Sequence, residues 1–318
     1  MSFQNSNNHK KIAIIGIGRW GTNILKTLEA IEGLDVTYVV TSQNLFPDAK
    51  NIKILSHWTE LFNQDVDAVF IATPPSTHAT ILEEFIKLHI PCFVEKPLCL
   101  DYKVALHLKY LSITEKVPIL LDHTQLFQPA FKQILNLFDL GAVKKINLES
   151  MGYGPFREDI SLLWDWGSHE ISIMLELLKE LPQTVSGYKT NSFVKYTFHY
   201  PNGLNVSITN SNMSTIKKRN ITIYENDRMI TFNEFPKSQF NIYRKLDSKN
   251  AKLLTAIKSN SYTDLDEKPL YNAIKYFRDA LFDKDFKCMF GLDRACDVIK
   301  LLEFADTAIN SNKKIKIS

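Results

Sequence analysis

Ile12-Ala13-Ile14-Ile15-Gly16-Ile17-Gly18-Arg19-Trp20-Gly21 is the stretch on which the fold turns. Four apolar residues in a row have the texture of a strand buried on both faces. A G-x-G-x-x-G run follows, and then Ile24, Leu25, Leu28 and Ile31 recur with the helical period. Glycine serves three needs in such a strand-turn-helix: a tight turn, close approach of backbone to a pyrophosphate, and close packing of helix on strand. The N–H groups that open the helix, those of Arg19 and Trp20 included, then face phosphate oxygens. The chain has 11 glycines among 318 residues, so three within six positions is a concentrated signal.

Outward from this turn, residues 10 to 122 alternate short apolar runs with helical-period segments, the pattern of a parallel sheet covered by helices. Candidate strands start at Ile12, Val36, Ala68, Pro91 and Pro118, and further helices are expected over His78 to Leu88 and Asp101 to Lys116. After Asp122 one helix (Phe131, Ile134, Leu135, Phe138) leads into strands with polar alternation. Leu204, Val206 and Ile208 point one way and Asn205, Ser207 and Thr209 the other, directly after Pro201-Asn202-Gly203. Comparable runs start at Val143, Ser192, Ile221 and Arg228, which predicts a sheet with one wet face. Lys237 to Lys268 reads as loop, helices return at Leu270 and from Leu292 to Asn310, and Lys313-Lys314-Ile315-Lys316 reads as a solvated tail.

The expected fold is α/β: a Rossmann-type doubly wound parallel sheet over 1–122, then an α+β domain over 123–318 with a mainly antiparallel open sheet. The helices from about 270 are expected to pack back on the first domain. A formal charge of +3 gives no case for nucleic acid or a membrane surface. No apolar run approaches membrane-spanning length, and the polar N-terminus lacks the apolar core of a secretory signal. Cys92, Cys99, Cys288 and Cys296 form no C-x-x-C pair and no metal-ligand spacing, so reduced thiols in a cytoplasm and no metal site are expected.

A dinucleotide site commonly carries a carboxylate at the end of its second strand. Here Val39-Val40 is followed by Thr41-Ser42-Gln43, so the cofactor is left as NAD or NADP, with Thr41 and Ser42 placed to bond a ribose or its phosphate. The third strand runs into Thr73-Pro74-Pro75-Ser76-Thr77-His78, an extended loop at the carboxyl edge. Ser76 or Thr77 is placed to cap the next helix, and His78 reads as a helix-start residue. Glu95-Lys96-Pro97 ends the fourth strand; a lysine at the tip of a buried strand is costly unless it faces a cleft, where it can stabilise a developing alkoxide. In Trp164-Asp165-Trp166-Gly167-Ser168-His169, Asp165 and His169 share a helix face at i and i+4. A carboxylate beside an imidazole suits a proton acceptor; on spacing alone a helix cap beside a surface histidine fits equally. Lys217-Lys218-Arg219 reads as a solvated basic loop.

Together these segments resemble the glucose-fructose oxidoreductase / inositol dehydrogenase family (Gfo/Idh/MocA). The likeness covers Lys11 to about Ala130 and continues through Trp164 to Ser172 and the C-terminal segments. It implies that Gly16, Gly18 and Gly21 bind pyrophosphate, that Thr73, Pro74 and His78 belong to the cofactor loop, and that Glu95 and Lys96 lie near the nicotinamide. It also implies that His169 is the acid/base and Asp165 its partner; Ser172 stands where many members carry a further Asp. The runs Arg157 to Ser172 and His123 to Ala130 are similar to members acting on nucleotide sugars, which adds His123 and Arg157 to the substrate-facing set. The implied activity is hydride transfer between NAD(P) and a secondary alcohol or ketone of a sugar, nucleotide sugar or cyclitol, in a homo-oligomer (dimer or tetramer). The alternative is a catalytically silent dinucleotide-binding sensor or scaffold.

Overall fold

The computed structural model of the chain describes residues 9–42, 51–234, 239–245, 251–258, 268–283 and 291–318. Two compact units divide it, Met1–Thr124 with Lys268–Cys296, and Gln125–Glu267 with Asp297–Ser318.

In the first unit β1 (Lys10–Ile15) leads through the glycine turn to α1 (Arg19–Leu28), then β2 (Leu34–Val40), the short edge strand β3 (Lys53–Leu55) and β4 (Ala68–Ile71). There follow α2 (Pro75–Lys87), β5 (Cys92–Val94), α3 (Tyr102–Glu115) and β6 (Ile119–Leu121). The six strands pair in parallel in the order β3-β2-β1-β4-β5-β6. Such a sheet is covered on both faces, which is why β1 and β4 are apolar throughout their buried lengths and Ile12, Ile14, Val69 and Phe70 are inaccessible to solvent. Strand order reverses between β1 and β2 on one side and β4 to β6 on the other. The carboxyl edge at that crossover is where ligands bind in open α/β sheets.

The second unit starts with α4 (Pro129–Leu137) and the long strand β7 (Val143–Tyr153), followed by α5 (Leu162–Leu178). Strands β8 (Thr184–Lys189), β9 (Val194–His199), β10 (Asn205–Ser211), β11 (Met213–Glu225) and β12 (Arg228–Asn233) follow. β13 (Gln239–Lys245) and β14 (Ala251–Lys258) complete the large sheet on one side. The pairing is antiparallel except between β7 and β10. Val206 and Ile208 are buried beside Ile146 and Leu148 while Ser207 and Thr209 are only half-buried, as the alternation predicted. At the β9–β10 turn Gly203 has φ +83°, a conformation glycine enters without penalty.

Helix α6 (Pro269–Phe282) belongs to the first unit, where Phe277 sets its edge against Phe70 and Phe93 at centroid distances of 5.5 and 5.8 Å. Helix α7 (Leu292–Ser311) and the two-residue strand β15 (Ile315–Lys316) end the chain.

Four local expectations are corrected. The supposed loop from Lys237 contains β13 and β14, which pair antiparallel at one side of the large sheet with Arg244 exposed; polar and basic residues suit a sheet edge as well as a loop. Residues 237–238, 246–250 and 259–267 of that stretch lie outside the described residues. The basic tail is not simply solvated, because Ile315 and Lys316 pair with Val185 and Thr184 of β8. Lys217, Lys218 and Arg219 lie within β11, not on a loop: Lys218 Nζ is 2.6 Å from Glu149 and Arg219 pairs with Glu234 at 3.2 Å. Finally, α2 begins three residues before His78, with Pro74 at the cap position and no side-chain capping bond; Pro75 supplies the fixed φ of a first helical residue instead.

Candidate active site

The three glycines of the turn do different work. Gly16 has φ +93°, and a Cβ there would sit 2.8 Å from the Ala72 carbonyl oxygen at the end of β4. A Cβ on Gly21 would overlap the Gly16 carbonyl oxygen. Both are therefore demanded by the protein's own packing. Gly18 is not: it caps α1 with φ −72° and ψ −168°, and a Cβ there would meet nothing within 4 Å. Its missing side chain leaves open space directly before the first helical N–H groups, which have no intrahelical acceptors. A pyrophosphate fits that cradle by shape and by charge.

Around the turn the carboxyl edge carries the other expected groups. Thr41 donates its N–H to the Leu55 carbonyl at 3.0 Å, and Ser42 is exposed beside it; Gln43 lies outside the described residues. His78 is wholly buried, with Nδ1 2.9 Å from the Pro97 carbonyl and Nε2 2.8 Å from the Thr73 carbonyl. It is a strut between the loop after β4 and the loop after β5, and Thr77 Oγ1 further secures the former by donating to the Pro74 carbonyl at 2.7 Å.

Glu95 and Asp122, at the tips of adjacent strands β5 and β6, form a buried carboxyl pair, 8% and 1% exposed. Burial and the neighbouring carboxylate push Glu95 well above the usual range. Burial likewise raises Asp122, to about 6, against the hydrogen bond with Glu95, then the bond from Trp20 and the charge of Lys96. Trp20 Nε1 donates to Asp122 Oδ2 at 3.0 Å. His123 is fully buried with no hydrogen-bond partner on either ring nitrogen among the described residues. Burial, then the charges of Arg294 and Lys96, lowers its pKa to about 3, so its imidazole is neutral at physiological pH. Asp122 was not singled out from the sequence, although the reasoning applied to Lys96, a charged group at the tip of a buried strand, marks it equally.

In the second unit α5 carries Asp165 and His169. The helix is capped by Ser161, whose hydroxyl accepts from Trp164 N at 3.5 Å, so Asp165 is an internal first-turn residue and not the cap. Asp165 is 7% exposed, and Arg157 Nη1 donates to its Oδ1 at 3.5 Å while also pairing with Asp159. Arg157 and Asp165 are thus brought together as a pair, with His169 one turn further along the helix. Glu170, next to His169, points the other way into the protein: Asn210 Nδ2 donates to it at 3.0 Å, Tyr196 OH donates to Asn210 at 3.2 Å, and Arg219 lies 3.9 Å away. Gly167 is required on that side, since a Cβ would come 2.5 Å from the Tyr196 hydroxyl. This buried polar chain was invisible in the sequence because its members come from α5, β9, β10 and β11.

Residues 10–123 match the family model Gfo/Idh/MocA, described as an oxidoreductase family with an NAD-binding Rossmann fold. The chain is 25% identical over 179 residues to a UDP-N-acetylglucosamine 3-dehydrogenase of Acidithiobacillus ferrooxidans, covering 56% of this chain and 57% of that protein. It is 28% identical over 146 residues to an inositol 2-dehydrogenase of Rhizobium meliloti, covering 43% of each. The chain thus spans about half the length of the curated relatives it matches. Among solved structures, UDP-N-acetylglucosamine 3-dehydrogenase GnnA of A. ferrooxidans superposes with a TM-score of 0.78 at 20% identity, over 95% of this chain and 98% of that one. GenD2 from gentamicin A biosynthesis, in complex with NAD, gives 0.83 at 17% identity, over 98% and 97%. These two likenesses establish the fold over nearly the whole chain. Over residues 10–123 the resemblance drawn from the motifs holds.

Proposed function

We propose that this chain, whose residues 10–123 match the Gfo/Idh/MocA oxidoreductase family model, is an NAD(P)-dependent dehydrogenase. Its substrate would be a secondary alcohol, or the matching ketone, of a sugar, nucleotide sugar or cyclitol. The observation that carries the proposal is Gly18, a glycine with no packing reason at a helix start, on the same sheet edge as Lys96. When bound, the nicotinamide supplies hydride acceptance and donation. The protein's part is to move the proton and hold the charge. His169 takes the hydroxyl proton, Asp165 orients it, and the Lys96 ammonium stabilises negative charge on the substrate oxygen as that proton leaves. Arg157, already turned toward Asp165, offers a guanidinium to a phosphate-bearing substrate.

A sensor or scaffold that keeps the dinucleotide without turnover is the competing account. The names of the relatives, dehydrogenases of a nucleotide sugar and of inositol, support the enzyme. The cofactor is NAD or NADP; Thr41 and Ser42 place no carboxylate against a 2′-phosphate. The same reading carries a homo-oligomer, dimer or tetramer, with the half-buried polar face of the large sheet as its interface. Titrating the purified protein with NADH and NADPH, then following nicotinamide absorbance with UDP-sugars and inositols, tests the enzyme. Turnover with any of them supports it; tight cofactor binding with no turnover across the panel favours the sensor. Absence of dinucleotide binding rejects both.

No helix among the described residues is long and apolar enough to cross a membrane. Cys92, Cys99 and Cys296 are buried and form no disulfide among the described residues, while Cys288 lies outside them. A cytoplasmic location is proposed from the cysteine usage, four residues with no paired spacing.

A further inference from the structure

We propose that Asp122 is a positioning residue that holds the Trp20 indole across the carboxyl edge of β4 and β5, and so shapes the nicotinamide side of the dinucleotide site. The inference rests on the dinucleotide reading above and adds a residue and a pH dependence to it.

The geometry starts with sheet order. Trp20 follows β1 and Asp122 follows β6, with β4 and β5 between them. At the usual strand spacing those outer strands are about 14 Å apart. Yet Trp20 Nε1 and Asp122 Oδ2 are 3.0 Å apart, 102 residues distant in sequence. The indole therefore reaches along the strand tips that carry Thr73-Pro74 and Glu95-Lys96, the edge on which a dinucleotide lies in this architecture. Trp20 is 38% exposed, so it is not a core residue and its ring is accessible at this edge.

The other end of the bond is equally specific. Asp122 is buried, and among the described residues the groups acting on it are Glu95 just after β5, Lys96 beyond it and Trp20 from α1, with His123 beside it in the chain and the charge of Arg294 acting on His123. Two adjacent buried carboxyls do not both ionise readily. With one proton between them the pair carries a single negative charge, which balances the Lys96 ammonium and gives Trp20 a charged acceptor. The pair releases its first proton near pH 6 and the second well above. Above that pH the indole bond is charge-assisted and strong; below it Asp122 is neutral and the bond weakens.

The test uses the full-length protein. The Trp20 indole N–H resonance, assigned by its loss in Trp20→Phe, is followed by NMR through pH 6, and NADH affinity is measured over the same range. An inflection near 6 is expected in the wild type and none in Asp122→Asn. Trp20→Phe and Asp122→Ala should each bind NADH about tenfold more weakly above that pH. Asp122→Asn, which keeps an acceptor of the same shape, should recover most of the affinity without the pH dependence. An indole resonance indifferent to pH in the wild type, or full NADH affinity in Trp20→Phe, overturns the proposal. Trp20→Phe retains an aromatic ring, so the test survives even where Asp122→Ala does not fold. If the wild type takes up neither NADH nor NADPH while the indole still titrates, the cofactor reading is what fails, and the positioning role falls with it.

Discussion

Replacing each glycine of the turn by alanine separates a ligand-imposed glycine from a packing-imposed one. Gly18→Ala places a methyl where the protein has nothing within 4 Å and where φ is already −72°, so no contact is strained. The residue change at a helix cap costs about half a kcal/mol, and the loss of glycine's freedom in the unfolded chain returns a similar amount. Thermal stability should therefore stay within about 2 °C of wild type. Gly16→Ala forces a left-handed backbone on an L side chain and brings Cβ within 2.8 Å of the Ala72 oxygen. That costs about 2 kcal/mol or more, and the melting temperature should drop by several degrees. The same methyl at residue 18 keeps a pyrophosphate from its backbone donors. Losing one charge-assisted hydrogen bond is worth about 1.5 to 3 kcal/mol, which is about 10- to 150-fold in NADH affinity. Scanning fluorimetry and NADH fluorescence titration read the two effects separately. A Gly18→Ala protein that binds NADH like wild type, or one that melts as early as Gly16→Ala, refutes the reasoning.

Two further outcomes follow from buried charge. The Asp122 carboxyl is raised from 3.8 to about 6, so its contribution to stability is complete below 3.8 and is lost as pH rises through 6. Asp122→Asn should accordingly melt higher than wild type on the alkaline side, by up to about 3 kcal/mol of stability, and gain little on the acid side; equal gains on both sides count against it. Glu170→Ala strands Asn210 and leaves Arg219 without its buried carboxylate, which should destabilise the second unit by about 3 kcal/mol in urea unfolding, while Glu170→Gln loses much less because it keeps the bond from Asn210.

The first unit was largely legible because its signals are local. Its apolar strand runs, the glycine turn and the Asp101 cap, whose carboxylate accepts from Val104 N at 2.9 Å, each sit within a few residues of what they determine. The edge strand β3, three residues long, and the 3-10 turn Trp58–Asn63 after it gave too little pattern to see. The second unit was legible where one face is buried and the other is not, as at Val206 and Ile208. It failed at β13 and β14, because edge strands take the polar and basic residues that also mark loops. Lys217 to Arg219 misled for a related reason: their partners, Glu149 and Glu234, come from other strands, and no spacing along the chain reveals them. Of the candidate site, Gly16, Gly18, Lys96, Asp165 and His169 could be named from motif and position. The bonds that fix their surroundings, from Trp20 to Asp122 and from Glu170 through Asn210 to Tyr196, join residues 14 to 102 positions apart and needed the fold.

One kinetic comparison bears most directly on whether Lys96 and His169 act on a single reacting hydroxyl: nicotinamide reduction by the wild type, Lys96→Ala, His169→Ala and the double variant with the best substrate from the sugar panel. Each single change should lower turnover by about 10² to 10⁴, and the double variant should be scarcely slower than the worse single, because groups serving one transition state do not add. Undiminished turnover in either single variant, or losses that multiply in the double as for two independent sites, contradicts the account.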